Sequence, residues 1–134
     1  MANNASNCFY VILTNISNQP QIAFEDWNSW GYQAISSEIE SADGKKISLA
    51  RKPHGFTRNF PSTFLIPPGE HMVYPIRLND EWDALSSIPL AVQTPIEITL
   101  SAIYEVDPTP ESASEKVWTG RVESIEYQFK FSHY

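Results

Sequence analysis

The sequence predicts an all-β fold, an antiparallel sandwich of about seven or eight short strands with at most one short helical turn. Short runs rich in β-branched and aromatic residues recur along the chain, and Pro, Gly, Asn and Asp separate them. No connection carries the long crossover helix that parallel strands require. The 134 residues, 42% of them apolar, suit a single core. We therefore expect one domain over residues 1–134.

The first half of the chain predicts two pairs of strands. Cys8–Thr14 is rich in aromatic and β-branched residues, which indicates a strand buried on both faces. Turn residues follow it at 15–20, then a short strand at Gln21–Phe24 and a connecting loop at 25–31. Residues 32–40 and 47–51 are expected to pair antiparallel, because Asp-Gly between two such runs is a strong hairpin signal.

The second half predicts edge and core strands. After a long irregular crossing at 52–61 and a strand at 62–66, Pro67-Pro68-Gly69 predicts a type II turn. Residues 70–78 alternate, and Pro75 places that strand at an edge or a bulge. A helical turn is expected at 79–85 and a mobile loop at 107–115. The last strand is expected from about residue 116. The clearest period of two lies in 95–106, which predicts an inward row of Ile96, Ile98, Leu100, Ala102 and Tyr104.

Charge and composition limit the classes of partner that the protein can bind. The net charge of −7 disfavours nucleic acids and anionic membrane surfaces, and no apolar run approaches the length of a membrane span. Cys8 is the only cysteine, so no intrachain disulfide is expected. The first residues lack the basic and apolar regions of a signal peptide. The compartment stays open: periplasmic or extracellular if a signal has been removed, cytoplasmic otherwise.

No catalytic signature is present. His54, His71 and His133 have no metal-ligand spacing, and the chain has neither a nucleophile elbow nor a phosphate-binding glycine loop. The acidic groups at 25–26 and 80–83 lack the order of a calcium loop and indicate solvated loop charge. We therefore expect a protein that is not an enzyme, with no cofactor, no metal site and no catalytic residue.

The tryptophans suggest a binding surface. All of them fall in or beside predicted loops. The loops of a sandwich lie at its two ends. Aromatic side chains there can stack on a sugar or anchor a protein partner, and neighbouring polar groups can orient the ligand. The alternative is that they close the open ends of the core. The candidate ligand-binding residues are Trp27, Trp30, Asp26, Asn28, Trp82 and Trp118.

A resemblance rests on the order of turn motifs. A strand ending in Asn-Ile-Ser-Asn-Gln-Pro, then Asp-Gly-Lys, then Ile-Pro-Pro-Gly-Glu before Trp82 resembles the bacterial immunoglobulin-like sandwich modules. More loosely, it is similar to the BsuPI-type proteinase-inhibitor domain. The chain departs from that pattern at Tyr104, which has no Gly two residues earlier. The resemblance implies an immunoglobulin-like sandwich and carries over no inhibitory residue.

Three functions stay open at this level. The favoured one is an interaction module without catalysis, binding a protein or a glycan. The second is a proteinase inhibitor, which needs a protruding extended loop at 52–61 or 107–115. The third is a hydrolase that depends on converging carboxylates or on a metal. The oligomeric state is also open, because edge strands can pair across a two-fold axis.

Overall fold

The strand content of the chain follows the sequence pattern closely. The computed structural model describes residues 8–41, 44, 46–52, 55–56, 58–77 and 96–131. Within these residues the protein is built of antiparallel strands in sandwich-like layers, with two short helices. The predicted all-β fold is confirmed. The elements are β1 (Cys8–Thr14), β2 (Gln21–Phe24), α1 (Ser29–Tyr32), β3 (Ile35–Ser41), β4 (Lys46–Ala50), β5 (Thr63–Ile66), β6 (His71–Arg77), β7 (Ile96–Val106), α2 (Pro110–Ser114), β8 (Gly120–Glu123) and β9 (Tyr127–Phe131).

The larger layer is a sheet in the order β4, β3, β7, β8, with β9 also against β7. The predicted hairpin is confirmed, since Ile39 of β3 lies opposite Ile47 of β4. A single strand was expected from about residue 116, but the described residues form two, β8 and β9. The residues between them are not part of the ladder with β7. β8 pairs with one half of the long strand β7 and β9 with the other half.

The second layer is a kinked two-stranded ribbon. β1 pairs with β6, and β2 pairs with β5, so the ribbon bends where residues 15–20 meet residues 67–70. The type II turn is confirmed: the Glu70 amide donates to the Pro67 carbonyl over 3.1 Å, and Gly69 has a φ of 78°. Among the described residues β6 pairs with β1 alone, which agrees with the edge position predicted from Pro75.

The core lies between the inner faces of the sheet and the ribbon. It combines Ile39, Leu49, Ile98, Leu100 and Tyr104 of the sheet with Phe24, Tyr74 and Ile76 of the ribbon. The inward row predicted for β7 is confirmed at Ile98, Leu100 and Tyr104.

One strand prediction is wrong. β1 was expected to be buried on both faces, yet Tyr10 and Ile12 are exposed on its outer face. β1 belongs to a ribbon of two strands that packs only one face on the core. Its outer face therefore stays exposed although it carries large apolar side chains.

The helices differ from the expectation of at most one turn. The loop predicted at 25–31 contains the start of α1, and the loop predicted at 107–115 contains α2. In α2 the Thr109 and Ser112 side chains cap each other's backbone amides, and Pro110 stands in the first turn. These capping residues also favour turns, which is why the sequence indicated a loop. The helical turn expected at 79–85 lies outside the described residues.

Candidate functional site

An apolar cleft opens between the ribbon and the β8 side of the sheet. Its volume is about 450 Å³, within the range of small-molecule and side-chain sites in proteins. The sheet contributes Ala102, Tyr104 and Val122, the ribbon contributes Val11, Leu13 and Ile22, and Trp118 lies beside them. Polar groups are few, among them Ser17, Gln21, Glu123 and Ser124.

The inner face of the sheet carries small side chains next to the cleft. Ser37 of β3 lies opposite Ala102 of β7, on the face that carries the core. Ala102 lines the cleft, and the Ser37 hydroxyl is buried without a hydrogen-bond partner in the described part of the chain. Val122, opposite Tyr104 in the next strand, keeps 45% of its surface exposed. The ribbon therefore leaves this part of the sheet uncovered.

Trp118 is held in the cleft by its backbone and by two neighbours. Its amide donates to the Ile22 carbonyl over 2.9 Å, and its ring centroid lies 6.0 Å from that of Tyr104. Gly120 has a φ of 142°, and a Cβ there would lie 3.0 Å from the indole. Glycine at this position thus allows both the backbone conformation and the approach of the ring.

The wall of the cleft is uncharged at neutral pH except at its rim. Burial raises the pKa of Tyr104 to about 12, so its hydroxyl stays protonated. Burial also raises the pKa of Tyr74, the neighbouring core tyrosine. Glu123 is the carboxylate among the lining residues, and Arg121 lies 3.7 Å from it. An apolar ligand with few polar groups matches this arrangement.

Trp27 and Asp26 form a second exposed surface. Trp27 is 38% exposed and packs edge-to-face on Phe60, which is 50% exposed, with ring centroids 4.8 Å apart. The indole N–H donates to the Glu25 carboxylate. Asp26 is exposed beside it. This pair offers an aromatic surface with acidic groups at its border.

Asn28 and Trp30 have structural roles instead. Asn28 is 0% exposed; its amide group donates to the Ser62 carbonyl and accepts from the Gly31 amide, both over 3.1 Å. Trp30 is half-buried against the core, 6.3 Å from Phe24 between ring centroids. Both side chains serve the fold at the start of α1.

The predicted residues therefore separate into three places. Trp27 and Asp26 share a surface, Trp30 and Asn28 pack inside, and Trp118 lines the cleft. Trp82 lies outside the described residues. The sequence did not reveal Val11, Ile22 or Ala102 as cleft residues, because its patterns indicated that they belong to ordinary buried strand faces.

In the described ranges no group of three or more His, Cys, Asp or Glu side chains could hold a metal ion. His71 is exposed, whereas His54, His133 and the acidic group at 80–83 lie outside those ranges. No helix in the described part of the chain is long and apolar enough to cross a membrane.

Comparisons with known proteins give no relative. No family model matches the chain, and no curated protein or solved structure matches it either. The cleft and the exposed aromatic surface are therefore the features from which a function can be inferred.

Proposed function

We propose that the protein is a binding module, without catalysis of its own, whose cleft receives an apolar side chain of a protein partner. The observation that carries this proposal is the open apolar cleft of about 450 Å³ beside Trp118. Clefts of this size with few polar groups are typical binding sites. A neutral apolar wall suits recognition better than proton transfer or nucleophilic attack, which need ionisable groups in contact with substrate.

The surroundings of the cleft favour a protein partner over a small molecule. Ile16 lines the cleft and is exposed, as is Val122 on the opposite side. Apolar contact surface therefore continues beyond the cleft. A protein interface has this character: a pocket for an anchor residue inside a wider, partly apolar surface.

The first experiment is selection of peptides from a displayed random library against the pure protein. We expect the selected peptides to share a large apolar anchor residue. Binding should fall about tenfold or more in Ala102→Leu, because the added methylenes fill the space that the anchor needs. Val11→Phe, which fills the cleft from the ribbon side, should have the same effect. Circular dichroism and thermal melting verify that each variant is folded.

The controls separate the cleft from the rest of the surface. Ala50→Leu makes the same change at an exposed position of β4 and should leave peptide binding unchanged, as should Trp27→Ala. If no peptide is selected but neutral N-phenyl-1-naphthylamine binds and is lost in Ala102→Leu, the cleft takes a small molecule instead. Failure of both probes rejects the cleft as a binding site.

The exposed aromatic pair supports a second candidate function, glycan binding. Trp27 and Phe60 expose ring surface next to the carboxylates of Glu25 and Asp26. Aromatic faces with polar neighbours are the chemistry that sugars select. Thermal-shift screening against saccharides tests it: the shift should vanish in Trp27→Ala and persist in Ala102→Leu.

Proteinase inhibition has less support. That hypothesis needed an extended loop at 52–61 or 107–115. The second contains α2, a helix. In the first, Asn59 exchanges hydrogen bonds of 2.9 Å with Ser29, which ties the end of the loop to α1. A thermal-shift measurement with an inactivated serine protease tests the hypothesis, and a stabilising shift would revive it.

A further inference from the structure

We propose that two copies of this chain associate by antiparallel pairing of their β8 strands about a two-fold axis at Val122. The occupant of the β8 edge is thus a second copy of the protein. This inference does not rest on the cleft proposal, because its argument comes from the backbone and charges of β8, although Val122 belongs both to the wall of the cleft and to the proposed interface.

The β8 edge is open to a partner strand. Among the described residues β8 pairs with β7 alone, and all of its residues, Gly120–Glu123, are exposed. An exposed edge presents unpaired N–H and C=O groups in the geometry of the next strand. The edge therefore offers backbone hydrogen bonds that another strand can accept.

The hydrogen bonds to β7 determine which groups point outward. The Ser124 amide donates to the Ala102 carbonyl over 2.8 Å, and the Ala102 amide donates to the Ser124 hydroxyl over 2.9 Å. The backbone groups of Ala102 and Ser124 are therefore directed at each other, as in a hydrogen-bonded pair. Such pairs alternate with non-hydrogen-bonded ones along an antiparallel ladder, which makes Tyr104 and Val122 the next hydrogen-bonded pair. Arg121 and Glu123 consequently direct their N–H and C=O groups away from β7.

These outward groups restrict how two copies can pair. Two-fold pairing through Arg121 and Glu123 can be centred on Arg121, on Val122 or on Glu123. Centring on Arg121 places two arginines opposite each other, and centring on Glu123 places two glutamates opposite each other. Centring on Val122 places Arg121 opposite Glu123 of the second copy, twice. Like charges opposite each other destabilise a sheet, so charge selects the register at Val122.

That register also uses every outward group. Arg121 of each copy forms a hydrogen-bonded pair with Glu123 of the other copy, and each of the two pairs exchanges two backbone hydrogen bonds. Within one chain the two side chains form an ion pair of 3.7 Å with both partners about half exposed. Such a pair contributes little stability, so exchanging it for contacts with the second copy costs little.

The apolar side of the interface is Val122. It lies on the inner face of the sheet with Tyr104 and is 45% exposed. In the proposed register it meets Val122 of the second copy, in a non-hydrogen-bonded pair where side chains approach most closely. The sheet would continue through both copies, with the two clefts opening on the same face.

Sedimentation equilibrium of the full chain tests the proposal. We expect the mass to rise from 15.2 kDa towards twice that value between about 10 µM and about 1 mM protein. Arg121→Glu and Glu123→Arg should each weaken association about tenfold or more, because each places like charges opposite each other. The double variant carrying both changes should restore association to about the original level, because the pairs are complementary again.

The controls distinguish this edge from the other one. Lys46→Glu changes a charge on β4, at the opposite side of the sheet, and should leave association unchanged. Ala102→Leu, which fills the cleft, should also leave it unchanged. A mass of one chain at all concentrations, or no rescue in the double variant, overturns the proposal. Binding of a displayed peptide along β8 by a chain that stays monomeric would assign the edge to a different protein, and would overturn it too.

Discussion

Asn15 uses all of its polar groups at the corner of the ribbon. Its side-chain amide donates to the Gln19 and Ile66 carbonyls over 2.8 Å, and its Oδ1 accepts from Ser17. Across the corner, its backbone amide donates to the Glu70 carbonyl and its carbonyl accepts from the Gly69 amide. The residue is buried, so its hydrogen bonds are protected from water and define the angle between the two parts of the ribbon.

Asn15→Ala should lower the free energy of unfolding by about 2 to 4 kcal/mol, because buried carbonyls and amides lose their partner. Urea denaturation measures the change. Asn18→Ala is the control, since Asn18 is exposed in the same turn and should change stability by less than about 0.5 kcal/mol. Equal effects of the two substitutions would contradict the role of Asn15.

Two buried serines should respond in opposite ways. Ser37 has a buried hydroxyl with no partner in the described part of the chain, so Ser37→Ala should raise the free energy of unfolding by about 1 kcal/mol. The Ser112 hydroxyl accepts from the Thr109 amide over 2.8 Å, so Ser112→Ala should lower it by about 1 kcal/mol. Thermal or urea denaturation compares them, and destabilisation by Ser37→Ala would show that its hydroxyl has a partner.

Residue types at turns were the most predictable feature of the sequence. Gly44 and Gly69 have φ values of 86° and 78°, as their turn motifs indicated. Asn28 could not be assigned in the same way. Asn between Trp27 and Ser29 is as typical of a ligand contact as of a helix cap, and only the burial of Asn28 in the folded chain distinguishes the two.

At the scale of elements, the segment from α2 to β8 positions Trp118. Gly120 is the element boundary at which the chain turns into β8 under the indole ring. Gly120→Ala should lower stability by about 1 to 3 kcal/mol and displace Trp118, because alanine is strained at a φ of 142°. Tryptophan fluorescence and urea denaturation measure both effects. Gly55→Ala is the matched control, because no atom lies within 4 Å of the added Cβ. The free energy of unfolding of this variant should equal that of the original protein.

The strands were predictable from alternation, but their partners mostly were not. The β3 and β4 hairpin followed from a local turn signal. The pairing of β2 with β5, and the division of β7 between β8 and β9, depends on contacts between distant parts of the chain. The cleft arises from these pairings, since the ribbon ends before it covers Val122. A single sequence carries no signal for such an uncovered position.

At the scale of the whole molecule, burial of tyrosines makes stability depend on alkaline pH. Tyr104 has a pKa of about 12 in the folded protein and about 10 when exposed. Above pH 10 the unfolded chain loses this proton while the folded one keeps it, so the free energy of unfolding falls as pH rises from 10 to 12. Tyr104 alone should contribute a slope of about 1.4 kcal/mol per pH unit there.

Urea denaturation at a series of pH values measures this slope. Tyr104→Phe removes the titrating group and should make the slope shallower between pH 10 and 12, while Tyr74, whose pKa burial also raises, keeps a part of it. An unchanged slope in Tyr104→Phe would contradict the assignment. Titration of tyrosine absorbance in the folded protein gives an independent measurement.

The topology of the ribbon also has a consequence for the rate of folding. β1 pairs with β6 and places Cys8 opposite Arg77, whereas the β3 and β4 hairpin joins residues close in sequence. When paired residues are distant in sequence, a long loop must close, at a cost in entropy, before their contacts can stabilise the chain. Domains built on such pairings therefore fold in milliseconds to seconds. We expect the hairpin to form early and the ribbon to close last, which stopped-flow kinetics of Asn15→Ala would reveal as faster unfolding with an almost unchanged refolding rate.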